Sequence, residues 1–274
     1  MAAVRRTEKV FEFEEFGLPP LKVIVPEVLD SDYGMYTWPS APVLARYVWK
    51  QQHDVRGKRV LELGSGTSLA GITAALVGAG GVVLSEREGN PQLLDNCRRT
   101  CTANNVPHRV VNGGESVRFP EDVSTITTVT MATASAANTS TDRCHGDVQV
   151  IGLDWACFCP SLVTLPPVDI ILGADCFYDQ KDYENIIVTV SFLLERNPSC
   201  RFWTTYQERV SSHSIHSLLR RWKLRARSVP LESFDGDSVT VNGRTELLAH
   251  TIHMLEIYRT ATAADDDDGD EDQG

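Results

Sequence analysis

Apolar positions fall into short runs separated by longer stretches in which they recur every three or four residues, the alternation expected of a sheet covered by helices. Lys9-Val-Phe-Glu-Phe13 and Leu21-Lys-Val-Ile-Val25 alternate in period two and predict a hairpin ahead of the core. A helix follows at 41–49, with Pro42 tolerated in its first turn, and the first core strand is Arg59-Val-Leu-Glu-Leu63. The small-residue stretch 69–76 predicts a helix leading to the strand Gly81-Val-Val-Leu-Ser-Glu86. Asn90-Pro91 opens a helix with Leu93, Leu94 and Cys97 on one face, ending near Asn104-Asn105. Strands are then expected at 148–151, 168–172 and 201–205, helices at 183–195 and 211–222, and a last pair of strands at about 224–229 and 249–258. The Ser/Thr/Ala-rich tract around 124–142 breaks this alternation. With little to bury, 109–147 is expected to be a low-complexity insertion at a surface edge.

The most informative stretch is Glu62-Leu-Gly-Ser-Gly-Thr67, where a buried strand runs into a glycine turn and then a helix. In an open parallel sheet such a turn lies at the carboxyl ends of the strands, where ligands bind. Gly64 and Gly66 permit a close backbone approach that a Cβ would prevent. A dinucleotide fingerprint GxGxxG requires its third glycine at position 69, which is Leu69. Instead an acid, Glu62, precedes the turn. An acid beside a glycine turn suits a ligand with a cationic amino-acid part better than one with two phosphates, which points to S-adenosylmethionine. Glu86 ends the next strand, about 20 residues beyond Gly64, the distance at which an acid meets ribose hydroxyls in nucleotide-binding βαβ units.

These motifs resemble the first two cofactor motifs of the seven-stranded S-adenosylmethionine-dependent methyltransferases. The segment Tyr33-Gly-Met-Tyr-Thr-Trp-Pro-Ser-Ala-Pro42, with Gly152-Leu-Asp-Trp155, Asp169-Ile-Ile171 and Thr205-Tyr-Gln207, narrows the resemblance to the methyltransferase-like branch, over about residues 33–258. The resemblance implies an α/β fold, a Rossmann-like sheet of seven strands, mostly parallel with a reversed last strand, here preceded by the hairpin. It places Glu62 near the methionine part of the cofactor and Glu86 on the ribose. Trp155 matches the position that flanks the adenine, where an indole face excludes water, and Trp38 a position near the amino-acid end, suited to cation–π attraction. Ser68 stands where many methyltransferases carry glycine. Ala174-Asp-Cys-Phe-Tyr178 carries the Asp-x-x-Tyr spacing of lysine-modifying members. Asp175 is expected to orient and charge-pair with an incoming ammonium or guanidinium, and Tyr178 to wall the nucleophile; Tyr206 and Gln207 are weaker candidates at the same rim.

By resemblance the expected activity is protein N-methylation, of arginine, including histone arginine, first and of lysine second. The familiar arginine enzymes clamp the guanidinium with paired glutamates, and no such pair follows the fourth strand here. Two alternatives remain: a methyltransferase for a small molecule or nucleic acid, and a non-catalytic nuclear scaffold, against which the retained Glu62, Gly64, Gly66 and Glu86 count.

Charge and composition change this picture only at the edges. Of the formal net charge of −11, most comes from Asp265-Asp-Asp-Asp-Gly-Asp-Glu-Asp272, a self-repelling run expected to form a disordered tail. That charge argues against direct contact with nucleic-acid phosphates. The expected organisation is an N-terminal extension (1–32), a methyltransferase domain (33–260) and the acidic tail (261–274). The seven cysteines are scattered and odd in number, which suggests reduced thiols in the cytoplasm or nucleus. Their spacings complete no metal site, no apolar run is long enough for a membrane helix, and a monomer is expected.

Overall fold

The computed structural model describes residues 5–29, 33–112, 115–120, 147–209 and 215–259. Strands β1 (Arg5–Phe13) and β2 (Leu21–Leu29) pair antiparallel, with Phe11 opposite Val23 and Phe13 opposite Leu21. Their alternation buries Phe11, Phe13, Leu21, Val23 and Val25 on one face, as period two dictates. The hairpin is not alone: β10 (Ser238–Val241) pairs with β1 and β11 (Arg244–Leu247) with β10. The result is a four-stranded antiparallel sheet in the order β11-β10-β1-β2. The contribution of 238–247 was not expected, because those short strands are mostly polar and half exposed and gain order from pairing with β1.

The central sheet contains β3 (Arg59–Leu63), β4 (Gly81–Glu86), β5 (His108–Val111), β6 (Asp147–Gly152), β7 (Ile170–Ala174), β8 (Arg201–Gln207), β9 (Leu224–Ser228) and β12 (Ile252–Arg259), in the order β5-β6-β4-β3-β7-β8-β12-β9. It therefore has eight strands where seven were expected. The addition is β5, parallel to β6 at the sheet edge, formed by residues assigned from sequence to the start of the insertion. The four residues of β5 give too short a signal to separate from a loop. The reversed last strand is as expected: β12 runs antiparallel to both β8 and β9, and the other pairings are parallel.

Both faces of this sheet are buried, so its central strands read as nearly continuous apolar runs. On β3, Val60 faces one core, shared with α1 (Ser40–Lys50), α3 (Leu69–Leu76), α4 (Pro91–Ala103) and the second sheet. Leu61 and Leu63 face the other, shared with α6 (Tyr183–Arg196) and α7 (His216–Arg221). Two short helices, α2 (Gln52–Val55) and α5 (Pro160–Val163), complete the connections. The expected start of α7 at 211 falls on residues outside those described, as do 1–4, 121–146 and the acidic tail 261–274. Trp49 of α1 stacks on Phe13 at 6.0 Å and donates to the Pro19 carbonyl at 3.0 Å, fastening the second sheet to the helix layer. Burial of each such large apolar side chain stabilises the fold by about 1.5–3 kcal/mol.

Two local features set the geometry of the glycine turn. A Cβ on Gly71 would stand 2.4 Å from Leu84 Cδ2 and 2.5 Å from Glu62 Oε2, so its absence lets α3 press onto β3 and β4. At α4, Asn90 caps the first turn by accepting the N–H groups of Gln92 and Leu93, with Pro91 at the first helical position. Both are preferred helix-start chemistry.

Candidate active site

Beyond the carboxyl ends of β3, β4, β6 and β7 lies a cavity of about 780 Å³. All eight residues singled out from the sequence line it: Trp38, Glu62, Gly64, Gly66, Glu86, Trp155, Asp175 and Tyr178. They come from five separate segments of chain, so only the tertiary fold brings them together.

The turn 64–68 has a left-handed backbone at Gly64 (φ 59°), Gly66 (φ 52°) and Ser68 (φ 60°). A Cβ on Gly64 would meet the Trp155 ring at 3.0 Å, and one on Gly66 the Gly34 carbonyl at 3.0 Å. The glycines thus open a backbone cradle, whereas Ser68 holds the same conformation as a non-glycine residue at a strain cost of about 1 kcal/mol. Glu86 clamps the turn from the neighbouring strand. Its Oε1 accepts the Gly66 N–H at 2.6 Å and its Oε2 the Arg87 N–H at 3.1 Å. Burial raises the Glu86 carboxyl above its ordinary range, while those two N–H donors pull it back. Asn96 secures the other side, donating from Nδ2 to the Gly66 carbonyl at 3.2 Å.

Glu62 is more deeply placed, at 2% exposure. Desolvation pushes its carboxyl up to about 8, against smaller downward pulls from the Gly71 N–H and the Ser65 hydroxyl. Among the described residues its Oε2 has no hydrogen-bond partner. A buried carboxyl oxygen left unpaired is costly; this one lies under α3 against Gly71, while Glu62 as a residue also lines the cavity. The buried acid lining the cavity, with the glycine cradle, fits a ligand with a cationic amino-acid end. Trp155 is half-buried beside Gly64. Trp38 stands edge-on to Tyr36 at 5.5 Å and is tied back to the second sheet. Thr37 N–H donates to Glu27 Oε1 at 2.9 Å, and Glu27 pairs with Lys9 at 3.0 Å.

At the other end of the cavity Asp175 stands directly after β7 with φ 56° and 6% exposure. Its N–H donates to the Thr205 carbonyl at 2.7 Å, which locks the turn to β8. Its carboxylate is already paired. Arg209 donates from Nη1 to Oδ1 at 2.9 Å and from Nη2 to Oδ2 at 2.6 Å, and Gln207 N–H reaches Oδ1 at 3.3 Å. In this structure the guanidinium that Asp175 holds is one of its own chain. Arg209 also lies over the Trp38 ring at 5.7 Å. Sequence reasoning passed it over, although it lies just beyond the Thr205-Tyr-Gln207 motif; nothing local marks a lone arginine as the partner of an aspartate more than thirty residues away.

Tyr178 is half exposed and lines a second cavity of about 490 Å³, with Asp179, Tyr183, Tyr206, Gln207, Glu208 and Arg209 among its walls. Tyr206 and Gln207 thus face this second cavity rather than the first. Cys176 is buried, donates to the Leu63 carbonyl at 3.3 Å, and is held well above the usual thiol range by burial; it is a packed neutral thiol. Cys97, Cys101, Cys157, Cys159, Cys176 and Cys200 are all unbridged. Among the described residues no cluster of three or more metal-binding side chains occurs, and no helix is long and apolar enough to cross a membrane.

A parallel sheet with one reversed strand near its far edge, opened at a glycine turn between two buried acids, is the architecture of methyltransferases that use S-adenosylmethionine, and this chain is one of that class. The fold alone is shared with the Thermus thermophilus 16S rRNA N2 G1207 methyltransferase RsmC, solved in complex with AdoMet and guanosine. The TM-score is 0.50 at 13% identity, covering 92% of this chain and 51% of that one. A family model described as lysine methyltransferase matches residues 19–132 and 121–218. The chain is 41% identical over 253 residues to histone-arginine methyltransferase METTL23 of Xenopus laevis, covering 91% of both chains. It is 38% identical over 254 residues to the protein of that name from Mus musculus, covering 91% of this chain and 85% of the relative. The chain belongs to this lysine-methyltransferase family, in its METTL23 branch.

Proposed function

We propose that this methyltransferase transfers a methyl group to arginine side chains of proteins, histones among them. The observation that carries the reading is the fork at Asp175, a buried carboxylate whose two oxygens are spaced and oriented to hold a planar guanidinium. Bidentate pairing of this kind is the geometry by which carboxylates select guanidinium over ammonium. The relatives bearing the name histone-arginine methyltransferase support the same substrate class.

In this reading each residue has a task. Glu86 accepts hydrogen bonds from ribose hydroxyls, Gly64 and Gly66 admit the ligand against the backbone, and Trp155 walls the adenine. Glu62 lends its negative charge to the cationic amino-acid end, beside the aromatic face of Trp38. S-adenosylmethionine supplies an electrophilic methyl group when bound. Asp175 orients the acceptor nitrogen and draws its positive charge away from the attacking lone pair, and Tyr178 excludes water from the nucleophile. Rate enhancement then comes from positioning and electrostatics.

Lysine is the second reading, favoured by the description of the matching family and by the lack, after the fourth strand, of the closely spaced glutamate pair that clamps arginine in familiar enzymes. In this reading the chain works in the cytoplasm and nucleus, as a monomer and without direct contact to nucleic acid. Calorimetric titration of S-adenosylmethionine into the wild type and Glu86→Ala tests the cofactor site. Transfer of labelled methyl to histones, followed by acid hydrolysis, then tests the acceptor: methylarginine is expected. Methyllysine alone would replace arginine with the second reading, and transfer to RNA alone would sink both.

A further inference from the structure

The two cavities meet at two residues: among the described residues, Tyr178 and Arg209 line both. Asp175 sits behind that junction at 5% side-chain exposure, while the Arg209 side chain is 32% exposed and open to the second cavity. The walls of the second cavity are fixed by contacts of their own. Tyr183 donates its hydroxyl to the Phe177 carbonyl at 3.0 Å, and Tyr206 stacks on His253 at 5.2 Å. Asp179 and Glu208 line the cavity too, paired with Lys181 at 2.6 Å and His253 at 3.0 Å. The passage is thus walled by tyrosines and carboxylates, which suits the stem and charged head of a cationic side chain.

We propose that Arg209 is a displaceable surrogate for the acceptor: its guanidinium holds the seat on Asp175 that the acceptor guanidinium takes, and the tyrosine-lined cavity is the passage to that seat. The inference rests on the methyl-transfer reading above and deepens it. Its physical reason is the state of Asp175 when no acceptor is bound. A buried carboxylate left unpaired is strongly destabilising, so a site built to receive a cation needs a resident one between turnovers. Exchanging one guanidinium for another keeps Asp175 paired and preserves both parallel hydrogen bonds. An ammonium, a point charge without the fork, gives up that two-point match. Arg209 is therefore a specificity-determining residue: it sets the charge and shape an acceptor must reproduce to displace it.

The test uses the full chain and small cations as acceptor heads. Wild type, Arg209→Ala, Arg209→Gln and the double variant Arg209→Ala/Asp175→Asn are melted across a millimolar series of ethylguanidinium chloride, and across ethylammonium chloride at the same ionic strength. Both single variants should show a saturable rise in melting temperature of about 3 °C with ethylguanidinium. The wild type, where ethylguanidinium must first displace Arg209, should show a smaller saturable rise reached only at higher concentration, and none would mark Arg209 as a fixed structural partner and overturn the proposal. The double variant, whose seat is lost, should show none. Arg209→Gln leaves an amide beside Asp175 and keeps the experiment decisive if Arg209→Ala does not fold. No saturable rise in the folded variants overturns the proposal, as does a rise that survives Asp175→Asn, or an equal rise with ethylammonium. S-adenosylmethionine titrations on the same proteins read the underlying function separately: intact binding with no guanidinium effect overturns the surrogate alone, and no binding to the folded wild type overturns the methyl-transfer reading itself.

Discussion

The two ends of the large cavity are built in different ways. At the cofactor end, Glu62, Gly64, Gly66 and Glu86 come from one βαβ unit, and adjacent strands clamp the turn through the Glu86–Gly66 hydrogen bond at 2.6 Å. At the acceptor end, Asp175, Tyr178 and Arg209 come from the loops after β7 and β8, and the central ion pair joins residues 34 positions apart. The first end is a backbone cradle beside a buried acid. The second is a carboxylate already satisfied by its own chain. A local, backbone-built site suits a ligand used throughout a family, whereas loops on a rigid sheet are free to change their acceptor.

Substitution at each end should separate the two. The largest effect is expected from Asp175→Ala: kcat/KM for the protein acceptor falls about a thousandfold, in the range for loss of a positioned charged group. The dissociation constant for S-adenosylmethionine, measured calorimetrically, stays within about threefold. A comparable loss of cofactor binding would show that the two ends are one cooperative unit. Next comes Glu86→Ala, which removes charge-assisted acceptors and frees the Gly66 N–H. It should weaken cofactor binding about a hundredfold, or about 2.7 kcal/mol.

The raised Glu62 carboxyl adds a pH signature confined to the cofactor end. Because its folded value is about 8 and its ordinary value 4.5, the folded chain holds a proton there that the unfolded chain has released. Its contribution to stability is therefore present below the ordinary value, is lost progressively as pH rises toward about 8, and is level above it. A cationic ligand needs the ionised form, so S-adenosylmethionine affinity should rise with pH up to about 8, with release of about one proton at pH 7. Titrations in buffers of different ionisation enthalpy count that proton, and Glu62→Gln should abolish it. A flat profile in the wild type would mean Glu62 is ionised before binding.

Smaller effects should come from the supports. Glu27→Gln weakens the acceptor of the Thr37 N–H and the partner of Lys9, and should lower folding stability by about 1–2 kcal/mol with cofactor affinity down about fivefold. A stability loss with unchanged affinity would uncouple the second sheet from the cavity. Ser68→Gly should relieve left-handed strain and stabilise the fold by about 0.5 kcal/mol, read as a small shift in denaturant midpoint.

The glycine turn and its two acids were legible because their signals are local: glycines free to take a left-handed backbone, flanked by acids at a set distance within one strand–helix–strand unit. Strongly apolar strands such as β3, β4 and β7 were legible for the same reason. Missed elements were those whose order comes from pairing partners, namely β5, β10 and β11, whose residues are half exposed or exposed. Arg209 was missed on similar grounds, since its partner across the sheet ends leaves no trace in the neighbouring residues.

The amino-acid sequence by itself determined the alternation of buried strands and amphipathic helices, the left-handed glycine turn and the two acids beside it, because period, backbone freedom and side-chain charge act over short range. The tertiary structure alone decided that eight residues from five separate segments share one cavity, that burial raises Glu62 while leaving one of its oxygens unpaired, and that Asp175 is closed by Arg209. Desolvation and ion pairing depend on what the rest of the chain packs around a group, and that is set by the fold as a whole.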